Sequence, residues 1–150
     1  MIIRIILICF LLLAGPRSWA FTAMFYQPQE ADRAIPSERW SELFASLREK
    51  GFDTLIIQWS QYGSFLNREQ DKIWLREVIT QSKQANLRLV LGLSSNPDAF
   101  NKIKKSKEEL EVFFHKTLTN DRKIFSGLSN QESLPDFVGW YLPLEIDDRE

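Results

Sequence analysis

Short apolar runs and stripes with helical spacing alternate along the chain from about residue 20 onward. Phe21–Gln27 is rich in aromatic residues and predicts a first strand. Asp53–Trp59 predicts a second strand, apolar enough to be buried on both faces. Leu87–Leu93 and Phe137–Ile146 predict the third and fourth strands. Runs of this length between polar turns are typical of strands in a buried parallel sheet.

Three apolar stripes with helical spacing separate the four strands. The first helix is expected to have Ser37 as its N-cap and Gly51 at its carboxyl end. The second is expected to start near Asn67, with Gln70 completing a capping box, and Ser106 opens the third in the same way. The faces expected to be buried are Trp40, Leu43, Phe44 and Leu47; Trp74, Leu75, Val78 and Ile79; and Leu110, Phe113, Phe114 and Leu118.

The elements therefore follow the order β-α-β-α-β-α-β, which predicts an α/β fold with parallel strands. Crossover helices of this length join parallel strands through right-handed connections. Two architectures fit this order, a doubly wound open sheet and the first half of a (β/α)8 barrel. The segment FYQPQEADRAIP after the first strand has no glycine-rich phosphate loop, which disfavours a nucleotide-binding sheet.

The first twenty residues have the pattern of a cleavable signal peptide. Arg4 supplies a positive charge, Ile5–Ala14 is an unbroken apolar run, and Ser18 and Ala20 are the small residues that signal peptidase reads. The run is half the roughly 20 residues that a membrane span needs. We therefore expect cleavage after Ala20, secretion or a periplasmic location, no membrane span after cleavage, and one domain over residues 21–150.

Composition excludes several classes of function for the chain after cleavage. It would have 17 basic and 20 acidic residues in a mixed arrangement, which lacks the basic stripe of a nucleic-acid-binding protein. Cys9 is the only cysteine and lies in the leader, so no disulfide or thiol chemistry is expected. The sequence has no cluster with metal-ligand spacing, and we expect no metal and no cofactor.

In both architectures ligands meet the carboxyl ends of the strands. These ends carry aromatic rings beside amide and carboxyl groups, which suits carbohydrate, because sugar C–H faces stack on rings and sugar hydroxyls bond to planar polar groups. An amide that ends an apolar strand needs a partner, whereas Trp59 fits a core position equally well. The residues expected to contact a sugar are Tyr26, Gln27, Gln58, Trp59, Tyr62, Asn96, Tyr141 and Asp147.

Glu145 is the expected catalytic residue. Alternation along the fourth strand places it on one face with Gly139, Tyr141 and Pro143. Barrel glycosidases keep their catalytic carboxylic acids at such a site, where partial burial raises the pKa of the carboxyl group and keeps it protonated. A surface ion pair of Glu145 with Arg149 is the alternative. The opposite face, expected to pack against helices, comprises Val138, Trp140, Leu142 and Leu144.

Several segments together resemble one bacterial family. They are FYQPQ at the first strand, Trp40–Trp59, LRLVLGL and, above all, GWYLPLEIDD at Gly139–Asp148. The family is a domain-of-unknown-function group of secreted proteins, regarded as glycoside hydrolases with a (β/α)8 barrel. The resemblance covers nearly all of the chain after the leader. It implies that Glu145 holds the position of the acid/base in retaining barrel glycosidases, and that Gln27, Gln58 and Trp59 line the barrel mouth.

A complete barrel needs about 250 residues, and the fourth strand here ends near residue 146. A retaining mechanism needs a second carboxylate about 5–5.5 Å away, which similar barrels place on a later strand. The first hypothesis is therefore a glycoside hydrolase-like protein acting on envelope or extracellular carbohydrate, inactive as this chain alone. Its open sheet edge could pair with a second copy. The alternatives are a non-catalytic carbohydrate-binding or structural envelope protein, and a small open α/β sheet with another binding role.

Overall fold

The computed structural model describes residues 21–99, 101, 106–129 and 137–143. The leader and the predicted site residues Glu145 and Asp147 lie outside these ranges. Four strands form the main sheet: β1 (Ala23–Tyr26), β2 (Thr54–Ile57), β4 (Arg88–Gly92) and β6 (Phe137–Tyr141). Three helices connect them: α1 (Ser37–Glu49), α2 (Glu69–Gln84) and α3 (Lys107–Ser129). Shorter elements are a 3-10 helix (Glu30–Ala34) and the strands β3 (Gln61–Tyr62) and β5 (Ser94–Ser95).

The main sheet has the strand order β1-β2-β4-β6, and every pair is parallel. Each strand therefore lies beside the next main strand along the chain. A doubly wound sheet reverses its strand order at a switch point, and the described strands contain no reversal. The sheet is singly wound, as in a (β/α)8 barrel, and the predicted parallel α/β fold is confirmed.

One face of the sheet is covered by α1 and α2. Alternate residues of β2 and β4 point toward these helices, which places Ile57 and Leu91 in the core with Phe44 and Val78. All four residues of β2 are buried, so the prediction of a strand buried on both faces is confirmed. The other core side chains from these elements are Trp40, Leu47, Leu55, Trp74, Leu75, Ile79 and Leu89.

The opposite face of the sheet, here called the inner face, is curved. The rings of Phe25 on β1 and Tyr141 on β6 meet edge to face, with centroids 5.5 Å apart. In a flat sheet, strands three places apart are separated by about 14 Å. The outer strands must therefore bend toward each other, away from the side that carries α1 and α2. This is the direction in which a barrel closes.

The two helices that cover the sheet end in the same way. Gly51 (φ 88°) follows α1 and Asn86 (φ 56°) follows α2, and both adopt the left-handed conformation. The amide of Phe52 donates to the carbonyl of Leu47 after α1, as that of Leu87 donates to that of Ser82 after α2. These bonds define Schellman motifs. The predicted role of Gly51 at the end of the first helix is confirmed.

The starts of the helices differ from the sequence prediction in two cases. Ser37 is the first helical residue, not the N-cap, and its hydroxyl accepts a hydrogen bond from Gln81 Nε2 at 2.7 Å. The capping box expected from Asn67 is wrong, because α2 begins after Arg68, which makes no side-chain cap bond. The N-cap role of Ser106 is confirmed, since its Oγ accepts from the amide of Glu109 at 3.3 Å.

Four residues expected to be buried are exposed. Leu43 and Leu118 lie at the flanks of their helical stripes, with 47% and 55% of their surface accessible. Val138 and Leu142 on the fourth strand are 54% and 45% exposed. A register shift between β4 and β6 pairs Leu89 with Phe137 and Val90 with Gly139, which leaves Val138 outside the ladder. Phe137 and Trp140 pack against the core instead.

Candidate functional site

The chain after β2 and after β4 continues into a second, two-stranded parallel sheet made of β3 and β5, here called the mini-sheet. It forms where the two chain segments approach each other closely. A Cβ added at Gly92 would lie 1.9 Å from the carbonyl oxygen of Gln58, so only glycine fits. The amide of Ser60 donates to the Gly92 carbonyl at 2.8 Å. The carboxyl ends of β2 and β4 are thereby held together.

Trp59 and Tyr62 stack at this end of the sheet, with ring centroids 4.6 Å apart and planes inclined by 25°. Trp59 is buried and belongs to the core cluster. Its indole Nε1 has no hydrogen-bond partner among the described residues. Tyr62 covers the Trp59 ring and is exposed to solvent on its other side. Of these two rings, both expected to contact a sugar, Tyr62 is therefore the one that a ligand can reach.

Tyr26 lies on the helix side of the sheet, away from the inner face. Its ring meets Trp40 of α1 edge to face at 5.2 Å, and its hydroxyl donates to Asp32 Oδ2 at 2.8 Å. Burial and the neighbouring Asp32 carboxylate raise the pKa of Tyr26 well above its ordinary value. The hydrogen bond fastens the 3-10 helix to the sheet. Gln27, the next residue, is exposed.

An ion-pair network centred on the buried Asp71 joins the loops that follow β1 and β2. Asp71 in the first turn of α2 is fully buried and accepts from Arg33 Nη1 at 2.7 Å and from Arg68 Nε at 3.0 Å. Burial by itself would raise the pKa of the Asp71 carboxyl group. The hydrogen bond from Arg68 and the charges of both guanidinium groups outweigh burial and lower this pKa below its ordinary value. Ion pairs to Asp71 thus hold the loop after β1 against the start of α2.

The inner face carries one predicted site residue within the described part of the fourth strand. Tyr141 lies there beside Phe25, which is 56% exposed. Ile56 and Val90 lie between them on the two central strands, by the alternation of each strand. Gln58, directly after β2, is half-buried. The face is apolar, with an aromatic pair near the carboxyl end of the sheet.

A cleft of about 540 Å³ opens between the mini-sheet and the amino-terminal half of α3, and we call it the α3 cleft. It brings together Asn96, which was predicted to contact a sugar, and Gln61, which lies shortly after the predicted contacts Gln58 and Trp59. Its other wall comes from a helix face that the sequence analysis did not select. The lining is Gln61, Gly63, Ser94, Ser95, Asn96, Glu108, Glu109, Val112, Phe113, Lys116, Thr117 and Asn120.

Two contacts hold α3 against the mini-sheet. Asn120 Nδ2 donates to Gln61 Oε1 at 3.0 Å. Asp121 is 5% exposed, and one of its oxygens accepts both the amide of Ser94, at 2.9 Å, and the Ser94 hydroxyl. Asn120 and Asp121 lie within the polar run Thr119–Lys123, which is typical of a solvent-facing segment, so the sequence carried no signal for these contacts.

A second cleft, of about 410 Å³, lies between α2 and α3. Its floor is apolar, with Leu75 and Ile124 from the two helices, and Lys72, Arg76 and Lys123 stand at its edge. Glu69 forms ion pairs with two of these cations. In the described ranges no group of three or more His, Cys, Asp or Glu side chains could hold a metal ion. No helix described there is long and apolar enough to cross a membrane.

The singly wound parallel sheet, with α1 and α2 on one face and strand ends that meet at one edge, defines an α/β protein with the strand topology of a (β/α)8 barrel. A crystal structure from Bacteroides thetaiotaomicron, named as a "putative alpha-L-fucosidase", has the same fold over 82% of this chain and 40% of its own. Its TM-score is 0.57 at 16% sequence identity.

Residues 21–150 match the family described as Domain of unknown function (DUF4434), and the chain belongs to this family. The Uncharacterized protein YbcH of Escherichia coli (strain K12) is 34% identical over 139 residues. That match covers 92% of this chain and 46% of the relative. The chain thus spans less than half the length of both the curated relative and the solved structure. The resemblance to a domain-of-unknown-function family is confirmed.

Proposed function

We propose that this chain is the amino-terminal half of a glycoside hydrolase-like barrel protein that acts on envelope or extracellular carbohydrate. In this proposal the first four strands supply part of the sugar site and the general acid/base Glu145. Later strands, supplied by a longer form of the protein or by a second chain, supply the other catalytic carboxylate. The described chain would therefore bind sugar weakly and turn over no substrate by itself.

The curved inner face is the observation that carries this proposal. The 5.5 Å contact between Phe25 and Tyr141 shows that the outer strands bend toward each other. Parallel sheets of this kind are normally covered on both faces, yet Phe25 is more than half exposed. An apolar inner face of this curvature fits against the remaining strands of a barrel, whose mouth is the usual site of catalysis.

The catalytic role of Glu145 is supported by alternation along the fourth strand. Tyr141 lies on the inner face, and Glu145 follows four residues later, so an extended chain would bring both to the same side. Inverting enzymes separate their two carboxyl groups by roughly 6.5–9.5 Å. Like retaining enzymes, they therefore need a second carboxylate across the mouth from the first. The inner-face residues Phe25, Ile56, Val90 and Tyr141 carry no carboxylate, and in this proposal a later strand supplies it.

The pattern of the leader supports an extracytoplasmic place of action. Residues 1–20 carry the features of a signal peptide, and export would bring the protein to envelope or extracellular polysaccharide. Amino-terminal sequencing of the exported chain should begin at Phe21. Retention of the leader on a protein found in the cytoplasm would overturn this part of the proposal.

The test begins with the genomic reading frame around the coding sequence for this chain. We expect it to encode further βα units with a late-strand Glu or Asp, and the longer protein to release reducing ends from extracellular polysaccharide. E145Q in that protein should abolish turnover and leave binding intact, while E42Q on the exposed side of α1 should change neither. Full turnover by E145Q would remove Glu145 from the mechanism. Binding without any turnover by the wild type would favour the non-catalytic alternative.

A further inference from the structure

The α3 cleft is separate from the inner face of the sheet. Neither Phe25 nor Tyr141 contributes to its lining, which comes from the mini-sheet, the loop after it and α3. Its volume of about 540 Å³ is within the usual range of ligand sites, about 300–1,000 Å³. Because β3 and β5 follow directly from β2 and β4, the cleft lies beside the carboxyl end of the sheet, where a barrel mouth would be.

The side chains of the cleft are suited to groups that both donate and accept hydrogen bonds. Gln61, Asn96 and Asn120 supply three amides, and Ser95 and Thr117 supply two hydroxyls. Val112, which is 54% exposed, gives the cleft an apolar strip. Sugar hydroxyls match the amides and hydroxyls, and the C–H face of a sugar ring matches the strip.

The charges of the cleft argue against other ligands of similar size. Among the described residues that line it, Lys116 is the one basic side chain, and Glu108 and Glu109 are acidic. Phosphate-bearing ligands are bound through several basic groups or clustered backbone amides, so the lining disfavours them. A lipid or an apolar peptide would offer no partner to the Ser95 and Thr117 hydroxyls or to the amide hydrogen-bonding capacity that the Gln61–Asn120 bond does not use, which costs binding free energy. An uncharged oligosaccharide remains the best match.

The polar wall of the cleft is already held in place before any ligand arrives. The Gln61–Asn120 hydrogen bond of 3.0 Å fixes two of the amides against each other. Asp121, buried beneath them, fixes the backbone and hydroxyl of Ser94. Ordering the side chains on binding would therefore cost little conformational entropy.

We infer that the α3 cleft is an accessory site for an uncharged oligosaccharide, which holds a substrate chain beside the mouth of the barrel. This inference rests on the proposed function, since it assumes that the protein meets carbohydrate. It adds a second site, beside the carboxyl end of the sheet, with Asn96, Thr117 and Asn120 as its principal polar contacts. The acidic pair Glu108 and Glu109 would exclude acidic sugars.

The test uses the full chain on a printed array of neutral and acidic oligosaccharides, followed by calorimetry with the neutral oligosaccharide that binds most strongly. V112W fills the cleft from an exposed position and should abolish binding. The matched control L118W places the same ring on the same helix, at a residue that is 55% exposed and outside the cleft, and should bind as the wild type does. T117V keeps the side-chain shape and should weaken binding by about three- to tenfold, for one lost hydrogen bond.

The outcomes separate this inference from the proposed function. Unchanged binding by V112W, preference for acidic sugars, or no binding to any oligosaccharide on the array would each overturn the accessory site. Loss of binding in a Tyr141 variant with full binding by V112W would place the sugar on the inner face. That result would overturn the inference and leave the proposed function standing. Turnover by the longer protein with a blocked cleft would support the proposed function without testing the accessory site.

Discussion

Nη1 of Arg33 lies 2.7 Å from Oδ1 of Asp71, which joins the loop after β1 to the first turn of α2. Asp71 has no accessible surface, whereas the side chain of Arg33 is 28% exposed. A carboxylate in this position is stable only with its partners, because a buried charge without a counter-charge is costly. The pair therefore fixes how the two loops at the carboxyl end of the sheet are placed.

Replacement of this carboxylate should destabilise the fold. We expect D71N to lower the free energy of unfolding by about 2–3 kcal/mol, below the usual 3–5 kcal/mol for a broken buried pair because both arginines retain contact with water. Urea unfolding followed by tryptophan fluorescence measures this change. The control is E42Q, which removes the exposed pair of Arg39 and Glu42 and should cost no more than about 0.5 kcal/mol. Equal effects of D71N and E42Q would contradict the role given to burial.

Stability should fall steeply on the acid side. The pKa of Asp71 is below its ordinary value, and that of Asp53 is lowered by hydrogen bonds from Arg88 and Thr54. As pH falls below about 4, the unfolded chain takes up protons at these carboxyl groups before the folded chain does. The stability they contribute is thus complete above about pH 5 and is lost as pH falls through the folded-state pKa values. D71N should show a flatter decline between about pH 4 and pH 2 in urea titrations.

Gly92 and Gly139 offer a matched pair of glycines on adjacent strands. A Cβ at Gly92 would lie 1.9 Å from a backbone carbonyl oxygen, whereas one at Gly139 would have no neighbour within 4 Å. We expect G92A to cost more than about 2 kcal/mol, because backbone of the β2–β3 connection has to move. G139A should change stability by less than about 0.5 kcal/mol. Thermal unfolding by circular dichroism compares the two, and a G92A protein as stable as G139A would refute the close approach.

The left-handed residues after α1 and α2 should respond differently to substitution: one change should destabilise the protein and the other should leave its stability nearly unchanged. Gly51 has φ 88°, a conformation that penalises any Cβ, so G51A should cost about 1 kcal/mol. Asn86 has φ 56°, which glycine adopts without strain, so N86G should stay within about 0.5 kcal/mol of the wild type. Chemical denaturation midpoints decide the matter. A larger loss for N86G than for G51A would mean that the Asn86 side chain, not its backbone, stabilises the helix end.

The edge of the main sheet should make the chain self-associate. Val138 lies on the edge strand β6 and is 54% exposed, next to backbone groups that can pair with another strand. V138K should shift the protein toward monomer in sedimentation equilibrium, because a charged side chain on an edge strand opposes pairing. L43K, which changes a 47% exposed leucine on α1, should leave the association unchanged. A wild type that is monomeric at all concentrations would exclude the edge as an interface.

The main sheet could be predicted because its strands carry continuous apolar runs. Residues such as Leu55 and Leu91 suit a buried position on either face of the sheet. The prediction of the strands therefore needed no knowledge of side-chain direction. The mini-sheet could not be predicted in this way. β3 and β5 have two residues each and pair across more than thirty positions, as Gln61 does with Ser94. A pair that short has no periodicity, and it depends on the close approach of two chain segments at Gly92.

The sequence also could not predict which side chains of the first strand face the helices. Phe25 and Tyr26 are neighbouring aromatic residues, and either ring could face the helices. Packing against Trp40 selects Tyr26 for that side and leaves Phe25 for the inner face. The burial of Asp71 was equally hidden, since an acidic residue in the first turn of a helix usually interacts with the helix dipole at the surface.

The sequential order of the strands also has a consequence for biosynthesis. Each main strand pairs with the main strand that precedes it in the chain, so a newly emerged βα unit finds its partner already formed. Pairing of this kind closes only short loops and requires no segment that is still inside the ribosome or a translocon. The chain can therefore fold progressively from its amino-terminal side, with α1 and α2 shielding one face of the sheet before the last strand is added.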